Sequence, residues 1–469
     1  MAATKSIEIR TEIPGPRTRE ILEREERVIA QPLSILFPVV IQEGRGATIT
    51  DVDGNTFIDF TGGVGCLNVG HSHPRVVAAA QEQLERFSHT DFTIVPYEVY
   101  VELGERLTAL TPIDGEKRAA FFNAGTEAIE NAIKFARSYT KRPAVIAFEG
   151  GFHGRTLLAM TMTSKTHPYK AGLGPFAPEV YRLPFAQDYR GPSAREALEA
   201  LERALVTTVA AETVAAVVIE PVQGEGGFVV APREFLRGVR RLCDDHGIVL
   251  VVDEVQTGFG RTGKMFAIEH YGIEPDLMTL AKSIAAGLPL SAVIGRAEIM
   301  DAPPDSAIGG TYVGNPVAQA AALAVGQREH VGDLLFVEVV DHRAVWRGAH
   351  VADHRKHADL LHELLRDQLG LRGLVLAVAH LVADFAAVDA AFGAVDVLEV
   401  GARALRDGRE DRLRPAQRHV CPDHDLGVRH ASLERLSGGR GGRCAARAAR
   451  WCAAVVVVAA CAEQRCEEE

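Results

Sequence analysis

Five residue types are missing from the last 143 residues of this 469-residue chain. Residues 327–469 contain no Ile, Thr, Asn, Met or Tyr, and only one lysine against 19 arginines. The first 326 residues contain 22 isoleucines, so about ten would be expected in the remainder at the same rate. A domain built with β-strands normally retains β-branched Ile and Thr. The absences therefore set residues 327–469 apart from the rest of the chain.

Two explanations account for this aberrant C-terminal tail, residues 327–469. The missing residue types largely have AT-rich codons, which indicates a GC-rich gene read in a wrong frame through a frameshift or an assembly error. The alternative is a genuine, divergent appendage rich in Arg and Ala. We assign no functional residue to the tail.

Other absences limit the class of protein. The longest apolar run, residues 451–461, is shorter than the ~20 residues that span a bilayer, and the N-terminus lacks the apolar run of a secretory signal. The seven cysteines form no CxxC pair or His/Cys cluster, so we expect no metal site and a reduced, cytoplasmic location. A net charge of −11 without a basic patch argues against a nucleic-acid partner, and we expect no membrane partner.

The patterning that is present predicts an α/β fold. Residues 48–60 read as a β-hairpin with an Asp-Gly turn. From about residue 75 to residue 330, helical patterns alternate with short apolar strands such as 144–148 and 214–220. Continuous Val/Ile strands separated by helices are typical of a mostly parallel sheet covered on both faces. Ligands of such sheets bind at the carboxyl ends of the strands.

A predicted strand-to-helix turn within residues 121–136 suits a phosphate group. Free backbone N–H groups and the helix dipole favour an anion there. Gly125 would let the backbone approach closely, and the Thr126 hydroxyl could donate a hydrogen bond. The alternative is an ordinary helix N-cap formed by Thr126, with Ile129 and Glu130 behind it.

Two carboxylates, Asp253 and Glu254, end a wholly apolar strand. Burying an unpaired carboxylate is costly, so this position requires a positive partner. A salt bridge and a metal ligand are the alternatives, and the lack of a neighbouring histidine in the sequence argues against the metal.

Lys282 lies among small and apolar residues in the segment 276–291. A lysine amine in an apolar pocket favours its neutral form and becomes a nucleophile toward carbonyls. The alternative is a lysine whose stem packs while its ammonium group reaches water.

These three features together indicate one cofactor. Pyridoxal 5'-phosphate has an aldehyde, a pyridine nitrogen and a phosphate arm, and it calls for a Schiff-base lysine, a carboxylate and a phosphate cradle. Lys282 follows Asp253 by 29 residues and Gly125 precedes both. We therefore predict pyridoxal phosphate as the cofactor.

Many longer blocks extend this prediction to a family. They include "DVDGNTFIDFTGG", "NAGTEAIENAIKFAR", "VVDEVQTGFGRTG", "LAKSIAAGLPLSAV" and "GGTYVGNPVA". From about residue 14 to residue 325, the chain resembles the class III aminotransferases, which are fold-type I pyridoxal-phosphate enzymes. Within them it is most similar to enzymes that act on 4-aminobutyrate.

The resemblance implies a division into domains. Residues 1–70 would be the N-terminal segment of a small domain, and residues 71–326 a large cofactor-binding domain with a mostly parallel, seven-stranded sheet covered by helices. Residues 327–469 stand in place of the small domain's C-terminal part. A symmetric homodimer with active sites shared between subunits is expected.

The resemblance also implies roles for residues around the cofactor. Lys282 would form the Schiff base and later move the proton, Asp253 would pair with the pyridinium, and Gly125 and Thr126 would hold the phosphate. The other cofactor-binding residues are Phe152 against the ring, His153 beside it, Gln256 near the phenolic oxygen, and Thr311, which would reach the phosphate of the neighbouring subunit.

Two further residues are implied to bind substrate. Arg155 would grip the carboxylate at the far end of the substrate, and the alternative is a surface arginine after a strand. Glu225 would act as a gate that pairs with a second arginine when a substrate without an α-carboxylate binds, and that moves aside for glutamate.

The expected activity is transfer of the amino group of 4-aminobutyrate, or of a similar ω-amino acid, to 2-oxoglutarate by a ping-pong mechanism. Another class III aminotransferase, for ornithine, acetylornithine, 5-aminovalerate or a diamine, is the alternative, decided by residues near Val64 and in the C-terminal segment. An alternative of a different class is an inactive, truncated or frameshifted product.

Overall fold

The computed structural model describes residues 7–326, so the tail lies outside the described residues. Ten helices lie in that range: α1 (Pro16–Val28), α2 (Gly62–Gly65), α3 (Pro74–Arg86), α4 (Glu98–Leu110), α5 (Gly125–Thr140), α6 (Leu157–Met162), α7 (Ala194–Thr207), α8 (Arg233–His246), α9 (Ala297–Met300) and α10 (Pro316–Gly326). None of the helices in this range is both long enough and apolar enough to cross a membrane.

Twelve strands lie in the same range: β1 (Ile41–Arg45), β2 (Thr48–Asp51), β3 (Thr56–Ile58), β4 (Lys117–Phe122), β5 (Ala144–Phe148), β6 (Val180–Leu183), β7 (Val214–Ile219), β8 (Val222–Gln223), β9 (Val229–Val230), β10 (Val249–Asp253), β11 (Leu277–Leu280) and β12 (Ser291–Arg296). Short 3₁₀ turns occupy Ala211–Thr213, Ala267–His270 and Lys282–Ala285.

Seven strands form the central sheet, in the order β4-β12-β11-β10-β7-β5-β6. β12 runs antiparallel to both of its neighbours, while the pairs from β11 through β10, β7 and β5 to β6 are parallel. The predicted mostly parallel sheet is therefore confirmed, with one reversed strand inside it.

Both faces of this sheet are buried, as the continuous Val/Ile runs predict. In β10, Val249 and Val251 belong to the core on the α5 face. Leu250 and Val252 belong to the core on the opposite face, which also contains Leu201 of α7 and Phe235 of α8. Because successive side chains of a strand point to opposite faces, a strand covered on both sides has no solvent-facing side and is therefore largely apolar.

The N-terminal part contains the predicted hairpin. β2 and β3 pair antiparallel, with Thr48 opposite Ile58. Gly54 in the connecting turn has φ +83°, a conformation that glycine adopts without strain. The buried Asp51 carboxylate accepts hydrogen bonds from the backbone and side-chain N–H groups of Asn55, which fixes the turn.

Candidate active site

Four strand ends bring the predicted cofactor residues to one edge of the central sheet. β4, β7, β10 and β11 run in the same direction, so their carboxyl ends share an edge. A cavity of about 300 Å³ opens there. Eight of the ten predicted site residues line it: Gly125, Thr126, Phe152, His153, Glu225, Asp253, Gln256 and Lys282.

The N-terminus of α5 presents free backbone donors to this cavity. The Glu127 carboxylate accepts from the backbone N–H groups of Asn123 (2.7 Å) and Ala124 (2.9 Å), just before the helix. The following N–H groups, of Gly125 and Thr126, belong to the first turn, where a helix has no internal acceptors. With the helix dipole, these groups favour an anion at this end of the cavity.

Close packing around this turn explains its small residues. A Cβ on Gly125 would lie 2.9 Å from Cγ1 of Val255 and 3.5 Å from Cβ of Ala281. The Thr126 hydroxyl lies 2.6 Å from the hydroxyl of Thr156. The alternative interpretation of Thr126 as the N-cap is wrong, because the N-cap is Ala124 and Thr126 is already inside the helix.

Asp253 is buried, and its carboxylate is paired with a histidine. Its Oδ2 lies 2.8 Å from Nδ1 of His153, whose side chain is also buried. Its Oδ1 accepts from the Thr279 hydroxyl (3.1 Å) and from the backbone N–H of Val255 (3.1 Å). The carboxylate is thereby held in one orientation at the cavity wall.

Glu220 follows β7 and is a second buried carboxyl group in the cavity. It accepts from the backbone N–H groups of Phe152 (2.9 Å) and Gly224 (3.1 Å). Burial raises its pKa to about 7, while the nearby His153 opposes the shift and Asp253 adds to it. For His153, burial lowers the pKa, but the hydrogen bond and the charge of Asp253, with the charge of Glu220, leave it raised overall.

Lys282 is separated from the end of β11 by Ala281 and is the first residue of a 3₁₀ turn. Its φ of +48° is in the left-handed region, and Ala286 at the other end of the turn has φ +49°. Such conformations in residues other than glycine cost energy and cluster at functional sites. The Lys282 amine donates to Oε1 of Gln256, which places both side chains on the same wall of the cavity.

Two predicted residues do not line the cavity. Arg155 is exposed, and its guanidinium carbon lies 4.8 Å from the centre of the Tyr169 ring. Thr311 is exposed on the segment before α10, where its carbonyl oxygen lies 2.5 Å from Nε2 of His89. The Thr311 role is assigned to a neighbouring subunit, so it stays a prediction.

Two functional candidates were missed by the sequence argument. Glu220 ends an apolar strand as Asp253 does, and this shared position was the available signal. Tyr169 contacts Arg155 and Glu225, but nothing in its local sequence indicates these contacts, because they depend on the tertiary fold.

Comparison with known proteins assigns the family. The family model for aminotransferase class-III matches residues 29–329. The chain therefore belongs to the class III aminotransferases, and the predicted family is confirmed.

Individual relatives agree with this assignment. The probable 4-aminobutyrate aminotransferase of Bacillus subtilis is 53% identical over 290 residues, which cover 60% of this chain and 66% of that protein. The 5-aminovalerate aminotransferase of Pseudomonas putida is 48% identical over 311 residues, covering 66% of this chain and 73% of that protein.

Solved structures confirm the fold-type I architecture. The crystal structure of the ornithine aminotransferase of Toxoplasma gondii matches with a TM-score of 0.59 and 34% identity, covering 66% of this chain and 70% of that one. This chain spans just under two thirds of the length of the Bacillus subtilis relative.

Proposed function

We propose that this protein transfers the amino group of 4-aminobutyrate, or of a similar ω-amino acid, to 2-oxoglutarate with pyridoxal phosphate as cofactor. The proposal rests on one observation: Lys282, Asp253 and the N-terminus of α5 lie around one cavity. The relatives named 4-aminobutyrate and 5-aminovalerate aminotransferases support the substrate class.

The donor set of the cavity fits pyridoxal phosphate. The N–H groups at Gly125 and Thr126 suit its phosphate, the Asp253 carboxylate suits its pyridine nitrogen, and Lys282 supplies the amine that would hold its aldehyde. Phe152 would lie against the ring and Gln256 near the phenolic oxygen. When bound, the cofactor supplies an electrophilic carbon and a protonated ring that withdraws electrons.

The residues of this chain would carry out positioning and proton transfer. Asp253, fixed by His153 and Thr279, would hold a proton on the ring nitrogen. The Lys282 amine, once displaced by the amine of the substrate, would move a proton from the carbon that carries the amino group.

The substrate would be oriented by its distal carboxylate. We assign this carboxylate to the Arg155 guanidinium, which can form two parallel charge-assisted hydrogen bonds. Glu225 would act as the gate that pairs with a second arginine when a substrate without an α-carboxylate binds, and we assign no residue of this chain as that arginine. We also propose a cytoplasmic homodimer in which Thr311 completes the neighbouring site.

Covalent trapping of the cofactor tests the site. The full chain, incubated with pyridoxal phosphate and reduced with borohydride, should carry the cofactor on the peptide that contains Lys282. Lys282→Ala should abolish trapping, and Lys134→Ala, which changes an exposed lysine of α5, should leave it unchanged. Cofactor on any other lysine would contradict the assignment.

Amino transfer tests the function separately. Glutamate should form from 2-oxoglutarate with 4-aminobutyrate as donor, faster than with ornithine, acetylornithine or a diamine. Faster turnover with 5-aminovalerate would favour the second candidate, which the 48% identical relative supports. Trapping at Lys282 without turnover would favour an inactive product that keeps the cofactor site.

A further inference from the structure

Tyr169 contacts both side chains to which we assign substrate binding. Its ring lies 4.8 Å from the guanidinium carbon of Arg155, and its hydroxyl donates to Oε2 of Glu225 at 3.3 Å. We propose that Tyr169 is a positioning residue of the substrate site, whose ring orients Arg155 and whose hydroxyl orients Glu225. Because these two residues bind substrate only in the proposed function, the role of Tyr169 rests on that function.

The contact with Arg155 orients the guanidinium without neutralising it. Among residues 7–326, no carboxylate forms a salt bridge with Arg155. A guanidinium over an aromatic face is held by the ring quadrupole while its N–H donors stay available. The ring thereby restricts the rotamers of the exposed Arg155 side chain and leaves its N–H groups free to bind the carboxylate of a substrate.

The contact with Glu225 holds the carboxylate of a residue on an exposed loop. Glu225 follows β8, and the amine of Lys165 donates to its backbone oxygen at 3.0 Å. Backbone and side chain of Glu225 are thus both held by residues 165–169. Loss of the phenol hydroxyl would free the carboxylate and leave the backbone contact in place.

Tyr169 can orient other residues because its own position is fixed. The next residue, Lys170, is buried, and its amine donates to the backbone oxygen of Thr163 at 2.5 Å. The ring of Tyr169 also meets that of Phe152 edge to face, with centroids 5.1 Å apart. Phe152 lines the cofactor cavity, so Tyr169 connects the cofactor wall with the two substrate residues.

Two substitutions separate the functions of ring and hydroxyl. Tyr169→Phe keeps the ring and removes the hydrogen bond to Glu225, whereas Tyr169→Leu removes both. Tyr189→Leu is the matched control, because Arg190 lies over the Tyr189 ring at 5.0 Å outside the cavity. Arg155→Ala measures the full contribution of the guanidinium to the binding of a carboxylate ligand.

The probe is glutarate, a dicarboxylate that has no amino or oxo group to exchange, titrated calorimetrically into the full chain loaded with pyridoxal phosphate. Tyr169→Leu should weaken glutarate binding about fivefold, the scale of a partly exposed cation–π contact. Tyr169→Phe and Tyr189→Leu should stay within about twofold of the unmodified protein, since neither removes that contact. Tyr169→Leu should add nothing to Arg155→Ala, because the two residues act as a unit.

Steady-state kinetics test the hydroxyl. Tyr169→Phe should change the ratio of the KM values for glutamate and 4-aminobutyrate, because Glu225 has to move aside only for the α-carboxylate of glutamate and the lost hydrogen bond changes the free energy of that movement. The kcat values should change less than the KM values. An unchanged ratio of KM values would remove the role assigned to the hydroxyl.

The outcomes separate the role of Tyr169 from the proposed function. Failure of glutarate to bind, or equal binding by Arg155→Ala, would refute the substrate assignment itself. If Arg155→Ala weakens binding and Tyr169→Leu does not, only the role of Tyr169 is refuted. Equal weakening by Tyr169→Phe and Tyr169→Leu would also refute it, because the ring would then not be what orients Arg155.

Discussion

Three carboxyl groups, Glu220, Asp253 and Glu254, lie buried at the carboxyl ends of two neighbouring strands. They differ in their partners. Asp253 has the imidazole of His153, whereas the donors to Glu254 are uncharged and include the Thr257 hydroxyl and the backbone N–H of Ile268. At residue scale this difference separates a carboxyl group paired with a titratable side chain from one held by uncharged donors.

The Asp253 carboxylate should be required for chemistry more than for cofactor retention. We expect Asp253→Asn to keep bound pyridoxal phosphate and to lose amino-transfer rate by about a hundredfold or more, the scale of assisted proton transfer. Stopped-flow absorbance of the first half-reaction measures this loss. Asp276→Asn, which loses ion pairs with Arg240 and Arg296 away from the cavity, should instead lower stability and keep the rate per folded molecule. Near-normal turnover of Asp253→Asn would leave Asp253 with a structural role only.

Glu254 should make stability depend on pH in a direction opposite to that of most carboxylates. Burial raises its pKa from 4.5 to about 7, so between these values the folded protein holds a proton that the unfolded chain releases. Its contribution to stability is therefore complete below about pH 4.5 and is lost as the pH rises through about 7, a change of about 3 kcal/mol.

Glu254→Gln should remove this loss, because the amide cannot ionise and still accepts from Ile268. Thermal melts of both proteins between about pH 4.5 and pH 8 measure the difference. The control is Glu196→Gln: hydrogen bonds from Ser193 lower the pKa of Glu196, so its contribution is lost as the pH falls. If the melting temperatures of the unmodified protein and of Glu254→Gln changed with pH in parallel, the Glu254 carboxyl would not titrate in this range.

At the scale of elements, the start of α5 combines helix geometry with close packing. Gly125→Ala places a methyl group 2.9 Å from the Val255 side chain, so the turn must shift. We expect weaker retention of pyridoxal phosphate, measured by dialysis and absorbance, with the fold intact.

Gly104→Ala in α4 is the control, because its Cβ would meet only Ala119, at 4.0 Å. That change should stabilise the protein by about 1 kcal/mol, through helix propensity alone. Equal cofactor retention by both variants would show that the Gly125 turn does not bind the cofactor.

The elements themselves were largely predictable from the sequence. The apolar run at 144–148 is β5, and the segment 233–246 is α8, because long periodic or wholly apolar runs leave one option. Lys282 and Asp253 were predictable because each departs from its apolar surroundings. The reversed direction of β12 was not, since periodicity does not report strand direction. The pairings of His153 with Asp253 and of Tyr169 with Arg155 join residues distant in sequence and depend on the complete fold.

At the scale of the whole molecule, two independent observations agree on where the family sequence ends. The family match stops at residue 329, and the last residue of the five types Ile, Thr, Asn, Met and Tyr is Asn315. The tail that we propose to stand in place of the small domain's C-terminal part thus begins close to where the family match stops.

A chain with the reading frame corrected after about residue 325 should give more soluble protein and higher transaminase activity than the chain as written. The physical reason is that large apolar side chains such as Leu36, Phe60 and Ile94 are more than half exposed within residues 7–326 and need a partner surface. Resequencing around codon 326, intact mass and specific activity of both proteins measure the difference. A soluble, active enzyme with the mass of all 469 residues would establish the tail as a genuine domain.

The place of β12 between β4 and β11 has a consequence for synthesis on the ribosome. β4 joins the sheet only through β12, with Phe122 opposite Ser291, and the Ser291 hydroxyl also donates to the backbone oxygen of Ala124 at 2.8 Å. The α5 end of the cavity can therefore pack against the sheet only after about 170 further residues have emerged. Because such distant pairings form slowly, we expect a nascent chain that ends between residues 282 and 291 to contain Lys282 but no assembled cavity, and to retain no pyridoxal phosphate.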